Sequence, residues 1–222
     1  MPAWTSAGSS ERRAPRAAPF PSRAVRAAVF AACLLPLARL FLLGWNDGLG
    51  ANPVEFVTRS LGTWTLVLLC LTLSITPLRR IGGWNGLVRL RRMLGLFAFF
   101  YACLHLTSYV WFDQWFDVMA ILKDVLKRPF ITVGFAAWLL MLPLALTSNA
   151  AMIRRLGAHW AELHRAVYAV AVLGVLHFWW HKAGKNDLAE PMLYAAAVAL
   201  LLGWRLWWRW RRAQPGSRRS SA

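Results

Sequence analysis

Six apolar segments, each close to the ~20 residues that cross a hydrocarbon layer, constrain this chain more than any other feature. They run over residues 25–45, 54–77, 93–112, 130–147, 159–181 and 191–208. In lipid, every backbone N–H and C=O must find its partner inside the protein, so apolar runs of this length read as helices. The expected fold is an all-α integral membrane protein, a six-transmembrane helix bundle over residues 25–210. Residues 1–24, rich in Ala, Pro, Ser and Arg, are expected to form a disordered basic tail, and residues 211–222 a second one. A basic tail ahead of an apolar run also suits a signal peptide. No small-x-small cleavage site follows and more apolar segments come later, so the first segment is read as an uncleaved span.

Charge sets the expected orientation. The net charge is +17, from 26 Lys and Arg against 9 Asp and Glu. On its own that balance suits a nucleic-acid partner. Its distribution does not, because most of the basic residues fall on the N-terminal tail, residues 78–92, residues 148–158 and the C-terminus. These segments share one side of the membrane, and the positive-inside tendency places that side, with both termini, in the cytoplasm. Nucleic acid is therefore not expected as a partner; the lipid bilayer is. Trp45, Trp111, Trp115, Trp179, Trp180 and Trp204 stand at segment ends, as interfacial belts require. The outer stretch from Trp111 to Pro129 mixes apolar and charged positions. It reads either as an amphipathic helix on the outer surface or as a docking surface.

The three cysteines, Cys33, Cys70 and Cys103, lie inside apolar segments and form no CxxC or CxxCH. Zinc ribbons and covalently attached haem are not indicated; small buried side chains are.

Histidine inside a bilayer is costly and asks for a partner. His159 and His181 lie at the two ends of the fifth segment, where packing alone explains them. His105 lies well inside the third segment, and His164 and His177 inside the fifth. A proton relay needs carboxylates in the membrane, and none of the nine acids lies deep in a segment. A non-haem metal site wants carboxylate or more ligands close together. Haem b between helices, with neutral imidazoles as axial ligands, fits best. The bland alternative is buried polar packing.

His164 and His177 are about 20 Å apart along a helix, so they serve two levels. Their spacing leaves them roughly 140° out of phase. Either the helix is distorted, with Gly174 available, or the two face different neighbours. Measured from the first outer charges, His105 matches His177 in depth; measured from the inner charges, it lies nearer His164. The outer ruler also agrees with the tryptophan belts. His105 and His177 are thus read as one bis-imidazole pair, and His164 as the ligand of an inner centre. Arg39, in the first segment, and Arg59, near the outer start of the second, are candidates for haem propionates or for simple snorkelling. The endings LSITPLRR and LALTSNA resemble each other and hint at an internal repeat.

The runs RLRRMLGLFAFFYACLHLTSYV and AELHRAVYAVAVLGVLHFWW carry a family likeness through RRxLG, FYAxLHxTSY and LHRxxY with a later His. Over residues 25–210 the chain resembles the haem-binding membrane subunits of periplasmic protein-methionine-sulfoxide reductase systems, the MsrQ (YedZ) family of the ferric-reductase-like transmembrane group. The resemblance implies a multi-pass inner-membrane electron-transfer subunit rather than an enzyme. It implies a periplasmic molybdopterin-containing methionine-sulfoxide reductase as the catalytic partner in repair of oxidised proteins. It also implies electrons from the quinone pool or a cytosolic flavin reductase, and FMN beside haem b. His105, His164 and His177 match the family's haem histidines. Arg79, Arg80, Arg91 and Arg92 form a plausible phosphate cradle for the flavin, or an ordinary positive-inside loop. The wider group often carries two histidines on each of two helices; here Arg91 and Arg92 stand where the fourth is expected. The competing readings are a stand-alone transmembrane ferric or quinone reductase and a haem-transport protein. Against the first, no FAD/NADPH domain follows the sixth segment; against the second, WFDQWF matches a Trp-rich haem-handling motif only loosely.

Overall fold

The computed structural model describes residues 21–184 and 187–213. The expected tails at 1–24 and 211–222 lie largely outside the described residues. Six helical stretches are long and apolar enough to cross a membrane, as the sequence predicts. They are α1 (Arg23–Trp45), α2 (Pro53–Gly82), α3 (Val88–Ser108), α5 (Pro129–Leu146), α8 (Ala166–Ala183) and α9 (Ala189–Ala213). A 3-10 turn, Asn85–Leu87, leads into α3, and a π turn, Tyr109–Asp113, extends it. Three short helices stand beside them among the described residues: α4 (Val118–Lys127), α6 (Ala150–Leu156) and α7 (Ala158–Leu163).

Local chemistry sets the ends. The Ser22 hydroxyl accepts from Val25 N at 3.3 Å, and Asn52 Oδ1 from Glu55 N at 3.1 Å, each covering a free N–H of a first turn. Pro53 and Pro129 occupy first helical positions, where a missing N–H costs nothing. Gly83, at φ 69°, ends α2 in the left-handed region. The helix runs on through Pro77 to Gly82, beyond the apolar segment. Arg79 and Arg80 therefore belong to the last turn of α2, and Arg91 and Arg92 to α3, with only a short connection between.

The closest packing is pairwise: α2 against α3, and α5 against α8. α9 packs on α8 and α2, and α1 on α3 and α2. Small residues let the backbones approach, as in membrane bundles generally: Ala98, Ala102, Ala137 and Ala171 are all buried. Leu61, Leu69, Leu73, Leu94 and Val170 fill the space between. Phe30, Leu35, Phe41, Leu42, Leu200 and Leu206 are exposed along the outer helices, as lipid-facing side chains should be. The cysteines are free. Trp138 Nε1 donates to Cys103 Sγ at 3.4 Å, joining α5 to α3. The fully buried Tyr101 donates its hydroxyl to the Cys33 carbonyl at 2.8 Å, tying α3 to α1. Tyr101→Phe removes that bond and is expected to cost about 1 kcal/mol, read as a lower unfolding midpoint in detergent.

The stretch from Trp111 to Pro129 is built around α4. Val118, Met119, Leu122 and Leu126 are exposed, while Asp124 accepts from Tyr109 Oη at 2.6 Å and from Arg128. The Arg128 hydrogen bond holds the Asp124 carboxyl below the usual carboxylate range. A depressed carboxyl stabilises the fold above its unfolded value. This anchor of α4 is therefore expected to weaken only as pH falls through the lowered value.

Candidate functional site

His105 and His177 meet at the α4 end of the bundle. His105 comes from α3, and its ring lies over Gly62 of α2; a Cβ placed there would sit 3.1 Å from His105 Cε1. Its Nδ1 is 2.8 Å from the Thr58 carbonyl, one helical turn before that glycine. His177 comes from α8 and repeats the arrangement on α5. Its Nδ1 is 2.6 Å from the Phe130 carbonyl, and a Cβ on Gly134, one turn later, would sit 2.6 Å from the same nitrogen. A carbonyl only accepts, so each Nδ1 carries the proton and donates. Each neutral ring then keeps its lone pair on Nε2. The two ring centroids are 6.1 Å apart, with planes at 74°.

Both histidines reach back 47 residues to their carbonyl. One displacement along the chain carries Thr58 onto Phe130, Gly62 onto Gly134 and His105 onto His177. The hairpins α2–α3 and α5–α8 are two versions of one unit, each presenting an imidazole in the same tautomer. The sequence hint of a repeat, in the endings of the second and fourth segments, points the same way. None of Thr58, Gly62, Phe130 and Gly134 was singled out from the sequence, although the common displacement was there to be found.

His164 lies at the other, arginine-rich end, away from the pair. The helix is interrupted at His164 and Arg165, between α7 and α8. Of the two readings of the out-of-phase spacing, a distorted helix or different neighbours, the helix is distorted, and at the histidine itself. Gly174 stays within regular α8 and faces Leu66. His164 stacks on Trp160, centroids 3.9 Å apart, and its Nδ1 is 3.0 Å from the Trp160 carbonyl. Trp160 is anchored in turn by Nε1 donating to the Thr147 carbonyl at 3.0 Å. His164 Nε2 is 3.3 Å from Ser148 Oγ, which also lies 2.7 Å from the Leu144 carbonyl. The hydroxyl proton has two acceptors to choose between. Turned to Leu144, it leaves the Nε2 lone pair open. The displacement that relates the two hairpins carries Arg92 onto His164. Arg92 is exposed, while its neighbour Arg91 is within electrostatic range of His164. The second hairpin thus has a histidine at this level and the first has arginine.

The other candidates are scattered. Arg39 is exposed on α1. Arg59 follows Thr58 and pairs with Glu55 at 2.6 Å. Arg80 lies over the rings of Trp204 and Trp208 at 5.7 and 5.3 Å. His159 is exposed, and His181, one turn beyond His177, packs on Phe130 at 5.6 Å. Among the described residues, no group of three or more His, Cys, Asp or Glu gathers where it could hold a metal ion.

The chain matches the family described as ferric reductase like transmembrane component over residues 61–175. It is 61% identical over 202 residues to the protein-methionine-sulfoxide reductase heme-binding subunit MsrQ of Bordetella pertussis, covering 89% of this chain and 98% of that protein. The chain belongs to the MsrQ family. The MsrQ subunit of Ralstonia nicotianae is 60% identical over 88% of this chain and 90% of its own length. That of Xanthomonas campestris pv. campestris is 50% identical over 84% of this chain and 87% of its own. No solved structure matches. Membership of a transmembrane family agrees with the six long apolar helices, so this is a multi-pass membrane protein.

Proposed function

We propose that the chain is a b-type cytochrome subunit of the bacterial inner membrane. It would carry electrons from quinol or a cytosolic flavin reductase to a periplasmic molybdopterin-containing methionine-sulfoxide reductase. The catalytic step in repair of oxidised periplasmic proteins would belong to that partner. The arginine-rich end of the bundle would face the cytoplasm and the α4 end the periplasm.

The observation that carries the reading is the His105–His177 pair. Two imidazoles each ~2 Å from a shared metal place their centroids roughly 6 Å apart, and the observed separation is 6.1 Å. Both rings have their proton on Nδ1 and their lone pair on Nε2, the tautomer a ligating imidazole needs. Two imidazoles alone leave a metal under-coordinated, whereas a macrocycle brings its own four nitrogens. The residues therefore fit haem. Bound haem supplies reversible one-electron chemistry. His105 and His177 would hold the haem through Nε2, the Thr58 and Phe130 carbonyls would fix both rings, and Gly62 and Gly134 would give them room. His164 would serve the second level once Ser148 turns its proton to Leu144. Arg59 and Arg39 remain the proposed propionate contacts. Arg79, Arg80, Arg91 and Arg92 remain the proposed contacts for FMN, which rests on family likeness.

The test is an absorption spectrum of the detergent-purified chain, oxidised and then dithionite-reduced, with a pyridine haemochrome assay. The expected result is a low-spin b-type spectrum and at least one haem per chain. Protein without haem, from cells supplied with it, would overturn the reading.

A further inference from the structure

Arg205 is the most deeply buried cation of the arginine-rich end. It belongs to α9, is only 8% exposed, and donates from one terminal nitrogen to the Leu73 carbonyl of α2 at 2.6 Å. Its Nε and its other terminal nitrogen are also buried, and neither has a hydrogen-bond partner. Those two nitrogens carry three N–H bonds, all unspent. The group lies over the ring of Tyr168, 5.1 Å from the centroid, and Tyr168 is one turn beyond His164 in LHRxxY. Arg80 and Arg91 are within electrostatic range of Arg205, and Arg91 is also within range of His164. None of the ion pairs among the described residues includes Arg80, Arg91 or Arg205.

An unpaired charge buried between membrane helices is costly, and residues of this kind mark sites whose partner can be named. Three guanidinium groups from α2, α3 and α9 add mutual repulsion. Only an anion relieves both, and it must accept several N–H bonds at once. Carboxylate and phosphate are the groups that match guanidinium donors. Chloride lacks the separated acceptor atoms.

We propose that Arg205, with Arg80 and Arg91, forms an oxyanion site at the His164 level of the bundle. It takes the carboxylate or phosphate of a membrane-embedded ligand. Where that group belongs to a cofactor held by His164 or to the flavin, the site rests on the function proposed above; where it belongs to a phospholipid, it does not. Arg205 is a positioning residue in the first case and a binding residue in the second.

The experiment compares the full chain with Arg205→Gln and Arg205→Lys, all purified in detergent. Haem per chain, the midpoint potential of each spectral component and bound phosphorus per chain are measured together. A cofactor carboxylate predicts that Arg205→Gln loses or shifts the component that His164→Ala also loses, with the other component unchanged. A phosphate predicts that bound phosphorus falls while the haem components keep their amounts and potentials. Arg205→Lys keeps the charge without the planar donors, so it gives the same change in weaker form and stands in if the glutamine variant fails to fold. Haem, potentials and phosphorus all matching the parent in a folded variant would overturn the site. If the parent itself carries no haem, the cytochrome reading fails, while the phosphorus comparison still decides this one.

Discussion

His105→Ala and His177→Ala are each expected to abolish one spectral component without loss of membrane insertion. The two ring centroids are 6.1 Å apart, so removing either would leave a haem held there by one imidazole. The expected readout is a fall in haem per chain, or conversion of the remaining haem to a high-spin spectrum, at unchanged yield of membrane-inserted protein. The two variants should lose the same component, and His164→Ala should spare it. Unchanged haem in either variant would remove that residue from the site.

Gly134→Ala is expected to have nearly as large an effect with a single added methyl group. The new Cβ would sit 2.6 Å from His177 Nδ1 and 2.8 Å from its Cε1. These distances are below any tolerated contact, and the obstacle is a ring clamped to the Phe130 carbonyl. Either the ring swings away, breaking the Nδ1–H bond, or α5 and α8 move apart. Loss of a partner that orients a metal-bound imidazole typically costs roughly 10–100-fold in affinity. A loss of that order is expected for haem retention on titration into the apo-protein. Gly62→Ala is the milder counterpart, since its Cβ would meet His105 at 3.1 Å. Equal retention by Gly134→Ala and the parent would show that the ring is not held as described.

Much of this was legible in the sequence because membranes reduce the problem to length and polarity. The six spans and the depth match of His105 with His177 follow from apolar runs and flanking charges. The ends of α2 and α3 did not. Arg79 and Arg80 read as loop because charge ends an apolar segment, yet the helix continues through Pro77, whose lost hydrogen bond does not break it. The interruption at His164 carries no Gly or Pro to announce it; only the awkward phase relative to His177 betrayed a distortion. The glycines under the two imidazoles were readable in principle through the common displacement of Thr58, Gly62 and His105 onto Phe130, Gly134 and His177. A weak likeness between segment endings was too faint to set that register. Arg205 gave no signal at all. It stands in a run of Trp and Arg at the end of the last span, and only packing against Leu73 and Tyr168 makes it a buried charge.

The most direct test of the paired-ligand geometry is the electron paramagnetic resonance spectrum of the oxidised protein. Imidazole planes near perpendicular leave two iron orbitals almost degenerate, so the unpaired electron keeps much of its orbital moment. Planes at 74° therefore predict a low-spin ferric signal of strong anisotropy, present in the parent and in His164→Ala and absent from His105→Ala and His177→Ala. A signal that survives both of those substitutions, or a parent that is wholly high-spin, would contradict ligation by His105 and His177.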